Sequence, residues 1–85
     1  MKELEEVSQR NVSEKVLLLL TQAGKKVAAI RNEINATQQD IAFYAGLDKS
    51  FISNLERGMI DGATLTTLVK ISEVFQMEVW DLFKN

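Results

Sequence analysis

The chain has no cysteine, no histidine and no proline, and these absences exclude several kinds of chemistry. It lacks the thiol nucleophile, the side chain that titrates near neutral pH and two common metal ligands. We therefore expect neither an enzyme nor a bound cofactor. The absence of cysteine also rules out a disulfide framework. It is consistent with a reducing cytoplasm, where we expect the protein to act.

Long apolar runs and flexible linkers are missing too. No stretch approaches the roughly 20 apolar residues of a membrane span, and residues 1–10 lack the apolar core of a signal peptide, so we expect no membrane association. Four glycines and no proline leave long helices possible. With 85 residues, 46% of them hydrophobic, the chain is large enough for one small domain with one core.

The strongest local pattern is Thr37–Gly58, which predicts two short helices joined by a tight turn. Thr37 and Asp48 are suitable N-cap residues, and Gly46 and Gly58 stand where the two helices should end. Helix, glycine turn and helix within 22 residues are typical of a helix-turn-helix. The inward apolar positions would be Ile41, Ala42 and Ala45 in the first helix, and Ile52 and Leu55 in the second.

The other face of the second helix is polar and carries a positive charge at each end. Lys49, Ser53 and Arg57 would form one ridge, with Ser50 and Asn54 beside it, because residues three and four apart are neighbours on a helix. Asn can pair with adenine, Lys can reach guanine, and Ser can contact several base edges. An isolated helix with such a face is more often simply solvated. The preceding turn and partner helix favour a DNA-reading surface instead.

These segments, together with the C-terminal part of the chain, resemble a known family of DNA-binding proteins. The segments TQQDIA, AGLDKSFISNLERG and LTTLVKISEVFQMEVWDLF, between about Gly24 and Phe83, are similar to the helix-turn-helix family of phage repressors, Cro and xenobiotic-response-element-type bacterial regulators. The resemblance implies an all-α fold, a compact bundle of five helices, with an extended first helix here. It also implies sequence-specific binding of double-stranded DNA by the third family helix.

The resemblance implies a role for each polar residue of the motif. Gln38 would contact a phosphate and buttress the recognition helix, which spans about Lys49–Arg57. The residues expected to face base edges are Lys49, Ser50 and Asn54, and those expected nearer the DNA backbone are Ser53 and Arg57.

Two further positions match a structural ion pair of the family, Arg31 and Glu56; the alternative is two separate surface charges.

The chain departs from the family pattern in its turns. Asn35 and Ala36 replace a glycine and a large apolar residue, and asparagine tolerates the left-handed conformation that this turn needs. The loop Met59–Ala63 carries an acid and no base, which weakens the expectation of DNA-backbone contacts there.

The remaining sequence predicts the scaffold. Residues 1–12 would be an N-terminal extension, and residues 13–85 the DNA-binding domain. Within the extension, Met1–Gln9 would be either a short helix or a frayed tail. Ser13 would cap a first helix running to about Glu33, which leaves Leu18 and Leu19 exposed in a monomer. The core stripe of that helix would be Val16, Leu20, Ala23, Val27 and Ile30.

The C-terminal part predicts two more helices. Thr64 would cap the first, and the second would run over Glu78–Phe83. Trp80 lies at a surface angle, as the edge of the core or as a dimer contact. The inward positions would be Leu65, Leu68, Ile71, Ser72 and Phe75 in the first, and Val79, Leu82 and Phe83 in the second.

We therefore expect a DNA-binding transcriptional regulator, acting as a homodimer on a palindromic operator. A phage repressor, a restriction-modification controller and an antitoxin are alike at this level. The net charge of −2 and pI near 5.0 are unusual, since nucleic-acid binders are often basic. This charge favours an alternative, a protein-interaction module with weak or lost DNA binding and a protein partner.

Overall fold

The computed structural model describes residues 9–59 and 63–84, and all regular structure within these ranges is helical. The all-α class is thus confirmed, but the count of five α-helices is wrong for the described residues. The fifth element has only five residues and winds as a 3-10 helix, a form suited to short segments. The α-helices α1 to α4 span Gln9–Glu33, Gln38–Ala45, Lys49–Glu56 and Leu65–Val74, and the 3-10 helix spans Val79–Phe83.

Helix α1 is longer than predicted, with 25 residues, about 37 Å at 1.5 Å per residue. It already includes Gln9, so Ser13 lies inside the helix and is not its N-cap. Nothing in the sequence between these two residues would break a helix. The prediction for the preceding segment, a short helix or a tail, falls largely outside the described residues. At the other end, Asn35 takes the expected left-handed conformation, with φ of 56°.

The core lies where α1 packs against α3 and the 3-10 helix, and where α2 packs against α3 and α4. The helix α4 also contacts the 3-10 helix. The buried apolar side chains come from every one of these elements, so the described helices share a single core. They are Ala23, Val27, Ile41, Ala42, Ala45, Ile52, Leu55, Leu68, Ile71 and Leu82.

Two residues predicted for the core are exposed. Val16 belongs to the N-terminal part of α1, where residues 11–19 are all exposed because the other described helices pack further along α1. Leu65 is the first residue of α4 and stands at the rim of the core. Leu18, Leu19 and Trp80 are exposed, as predicted. Among the described residues, no helix combines the length and hydropathy that a membrane span requires.

Candidate nucleic-acid interface

The first helix of the motif is fixed at both ends by local hydrogen bonds. The Thr37 hydroxyl accepts from the Asp40 backbone N–H at 3.0 Å, and the Thr37 backbone N–H donates to the Asp40 carboxylate at 2.8 Å. The hydrogen bond that the Asp40 carboxylate accepts from the Thr37 backbone N–H is the main cause that holds the pKa of Asp40 below its usual value. At the other end Gly46 has φ of 69°, and the Leu47 N–H bonds to the Ala42 carbonyl. The chain therefore turns sharply after α2.

Asp48 occupies the N-cap position of α3, as predicted, but it works differently from Thr37. Its backbone carbonyl accepts from Phe51 at 3.0 Å, while its side chain makes no capping hydrogen bond to the described backbone. At the C-terminal end, Arg57 is the C-cap and Gly58 has φ of 79°. The N-terminus of α3 therefore lacks the side-chain cap that Thr37 gives to α2.

The inner face of α3 is buried through Ile52 and Leu55, as predicted. Gly24 of α1 lies directly against it. A Cβ atom placed on Gly24 would stand 2.0 Å from the Leu55 carbonyl oxygen. The two helix backbones therefore approach so closely that only glycine fits at this crossing. The contact places the backbone of α3 directly against α1 at Leu55.

An ion pair fixes the C-terminal end of α3. Arg31 donates from Nε to Glu56 Oε2 at 2.7 Å and from Nη2 to Glu56 Oε1 at 2.9 Å. A third donor of Arg31 binds the Ala36 carbonyl, and Gln38 Nε2 donates to Glu56 Oε1 at 3.1 Å. The bonds with Glu56 raise the pKa of Arg31, against a smaller opposing effect of partial burial. The predicted pair is confirmed, and it joins α1, α2 and α3.

The outer face of α3 collects five of the six predicted DNA-binding residues. Lys49 and Ser50 are exposed on the first turn, Ser53 and Asn54 are half-buried, and Arg57 is exposed at the C-terminal end. The Arg57 guanidinium donates to the Asn54 side-chain oxygen at 2.6 Å, a bond that helical spacing permits but does not reveal.

The sixth residue, Gln38, lies on α2 and contacts α3 through its hydrogen bond to Glu56. The predicted buttressing of the recognition helix is therefore seen. Phosphate contact by Gln38 stays a prediction, as do the DNA contacts of the residues on α3.

One feature of this region escaped sequence reasoning. Phe43 and Tyr44 on α2 are 72% and 74% exposed, and their rings pack edge to face with centroids 5.2 Å apart. Adjacent aromatics on a short helix could equally have been core, so the sequence carried little signal. In the loop after α3, Met59 is exposed, while residues 60–62 lie outside the described ranges.

A short helix capped by Thr37, a glycine turn and a second helix with a polar outer face define a helix-turn-helix DNA-binding protein. The helix-turn-helix family model matches residues 27–79, more than half of the chain. The chain belongs to this family, and the resemblance to phage repressors and Cro is confirmed. It is a DNA-binding transcription regulator.

A solved structure provides a second comparison. The restriction-modification controller protein C.AhdI from Aeromonas hydrophila is 28% identical in sequence and superimposes with a TM-score of 0.70. The match covers 75% of this chain and 96% of the controller protein. A comparison with curated protein sequences gave no match.

Proposed function

We propose that this protein is a sequence-specific regulator that places α3 in the major groove of its operator. The DNA-binding unit is residues 13–85, with residues 1–12 as an extension. The observation that carries the proposal is the fixed orientation of α3. Its apolar side is buried and its end is tied to Arg31, so only the face with Lys49, Ser50 and Asn54 is free to meet base edges. A major groove about 12 Å wide admits one such helix.

Within this arrangement the other polar residues contact the DNA backbone. Ser53 and Arg57 flank the base-reading residues, and Gln38 stands at the start of α2, within reach of a neighbouring phosphate. The segment Thr37–Ile60 has a net charge of −1. However, Glu56 is paired with a guanidinium and does not face DNA as a free charge. Few phosphate contacts should give modest affinity and a shallow dependence on salt.

The first experiment selects bound sequences from a random DNA pool and then compares variants on the selected operator. Asn54→Ala should cost about 1–3 kcal/mol of binding and relax preference at one position. Arg57→Ala should weaken binding to all sequences and flatten the salt slope by about one unit. The control Lys15→Ala removes an exposed charge far along α1 and should change neither. Parent-like binding by both α3 variants would contradict the assignment.

We also propose that the protein binds a palindrome as a homodimer. One helix reads only a few base pairs, and regulators with this motif pair two helices about 34–36 Å apart. Two exposed apolar surfaces are available for the two-fold contact. One is Trp80, 59% exposed, with the partly buried Phe83 three residues later; the other is Leu18, 70% exposed, with Leu19. Because family members favour C-terminal contacts, we place Trp80 first.

Sedimentation at micromolar concentration separates these surfaces. Trp80→Ala should dissociate the dimer if the C-terminal surface forms it, and the double variant Leu18→Glu, Leu19→Glu should do so if α1 forms it. The substituted side chains Leu18, Leu19 and Trp80 are all exposed, so each variant should keep its fold. A parent that stays monomeric even on a palindromic duplex would contradict the dimer.

The similarity to a restriction-modification controller supports that role over phage repression or antitoxin activity. The protein would then act in the cytoplasm, without a cofactor, and respond to its own concentration or to a protein partner. Gene neighbourhood tests this directly. Adjacent endonuclease and methyltransferase genes are expected, and a neighbouring toxin gene would contradict the assignment.

A second candidate function is a protein-interaction module, favoured by the exposed Phe43–Tyr44 pair and by the net charge of −2. Aromatic side chains are enriched at protein interfaces relative to the rest of the surface. If this function holds, replacing both rings by serine should abolish capture of a partner, while Asn54→Ala should have no effect. Binding of the parent to one selected DNA sequence would decide against this candidate.

A further inference from the structure

The hydrogen bond between Arg57 and Asn54 fixes which way the Asn54 amide faces. A guanidinium carries only donors, so the amide atom 2.6 Å from Arg57 Nη2 must be the carbonyl oxygen. The amide nitrogen, with its two N–H donors, is then the group left to contact a partner. Asn54 is half-buried, which further limits rotation of its side chain.

This orientation changes the base that suits Asn54. A free asparagine pairs with adenine by donating to N7 and accepting from the N6 amino group. Here the group beside the amide oxygen is a guanidinium, which carries only donors and a positive charge. The N6 amino group of adenine is also a donor, so it would meet Arg57 if it approached the remaining lone pair of that oxygen. Guanine presents two acceptors, N7 and O6, at the same edge. Either one can accept from the Asn54 amide nitrogen, and both are favoured by the nearby guanidinium.

We infer that Arg57 is a positioning residue that makes Asn54 select guanine over adenine. The inference rests on the proposed function, because it requires the outer face of α3 to meet base edges. It assigns specificity to the Asn54–Arg57 pair as a unit, in which both residues offer hydrogen-bond donors.

The test measures base preference at a single operator position, defined as the one that Asn54→Ala relaxes. In the parent this position should favour guanine over adenine by at least about fivefold. In Arg57→Ala the freed asparagine should pair with adenine, and the preference should reverse. Arg57→Lys restores a cation with only donors and should keep guanine. Lys15→Ala, which removes a distant charge, should leave the preference unchanged.

The outcomes separate this inference from the proposed function. If Asn54→Ala relaxes no position, the recognition role of Asn54 fails, and the inference fails with it. If it relaxes a position that favours adenine in the parent, the recognition role stands and the inference is overturned. Retention of guanine in Arg57→Ala also overturns the inference alone, as does loss of guanine without gain of adenine. Matching melting curves for the parent and Arg57→Ala confirm that only the exposed face has changed.

Discussion

Replacing Gly24 by alanine tests the close crossing of α1 and α3 most directly. The new Cβ would lie 2.0 Å from the Leu55 carbonyl oxygen and 2.9 Å from its carbonyl carbon. Carbon–oxygen contacts are comfortable at about 3.3 Å or more, so the helices would have to separate by roughly 1.3 Å. Because both atoms of the obstacle belong to the backbone, no change of rotamer relieves the overlap.

The expected loss of stability follows from two opposing effects. Overpacking costs about 1–3 kcal/mol where the surroundings can adjust, and a backbone obstacle places Gly24→Ala near 3 kcal/mol. Alanine is about 1 kcal/mol more favourable than glycine in a helix interior, and this difference offsets part of the cost. The net loss should be about 2 kcal/mol, which lowers Tm by roughly 8–16 °C in a domain of this size.

Thermal and denaturant unfolding would measure this loss against two controls. Ala29→Gly, at an exposed site on the same helix, reports propensity alone and should cost about 1 kcal/mol. Gly46→Ala has no described atom within 4 Å of the new Cβ but keeps a φ of 69°, so it should cost about 1–2 kcal/mol from backbone strain alone. If Gly24→Ala proves as stable as the parent or more stable, the close crossing is refuted.

Three further stability predictions concern polar contacts. Glu56→Ala strands Arg31 at a largely buried site and should cost about 3–5 kcal/mol; a loss no larger than that of the exposed control Glu33→Ala would contradict the shared ion pair. Thr64→Ala removes the cap of α4 and should cost about 1 kcal/mol in chemical unfolding, whereas Thr66→Ala, at an exposed site, should cost less. The lowered pKa of Asp40 means that its carboxylate stabilises the fold above the unfolded-state pKa of about 3.9 and loses this effect as pH falls through the folded-state pKa. The deficit of Asp40→Asn should therefore shrink in acid, and a deficit independent of pH would count against the capping role.

The parts of the fold that sequence could predict are those specified by local chemistry. Thr37 and Thr64 cap helices because their hydroxyls reach backbone N–H groups only three residues away. Gly46 ends α2 because the turn needs a left-handed residue. Asp48 shows the limit of this reasoning: its position was correct, but the rotamer that decides side-chain capping depends on surroundings that the local sequence does not specify.

Features that escaped prediction arise from contacts between distant parts of the chain. The helical pattern of α1 places Val16 among its core positions. The pattern alone does not show how far along α1 the other helices pack, and they leave Val16 exposed. The need for glycine at position 24 depends on the path of α3, 25 or more residues later. Within the candidate site, the residues on the outer face of α3 could be predicted from helical spacing. The hydrogen bond from Arg57 to Asn54 could not, because it depends on side-chain rotamers.

The short length of α3 affects how the protein would bind DNA. Helices below about 12–15 residues are marginal in water by themselves, and α3 has eight. Its order is therefore imposed by Gly24, the buried Ile52 and Leu55, and the link to Arg31. The entropy of forming this helix is lost when the domain folds, before any operator is present. Association should then resemble docking of a rigid body, with a small heat-capacity change and without the slow step that accompanies folding upon binding.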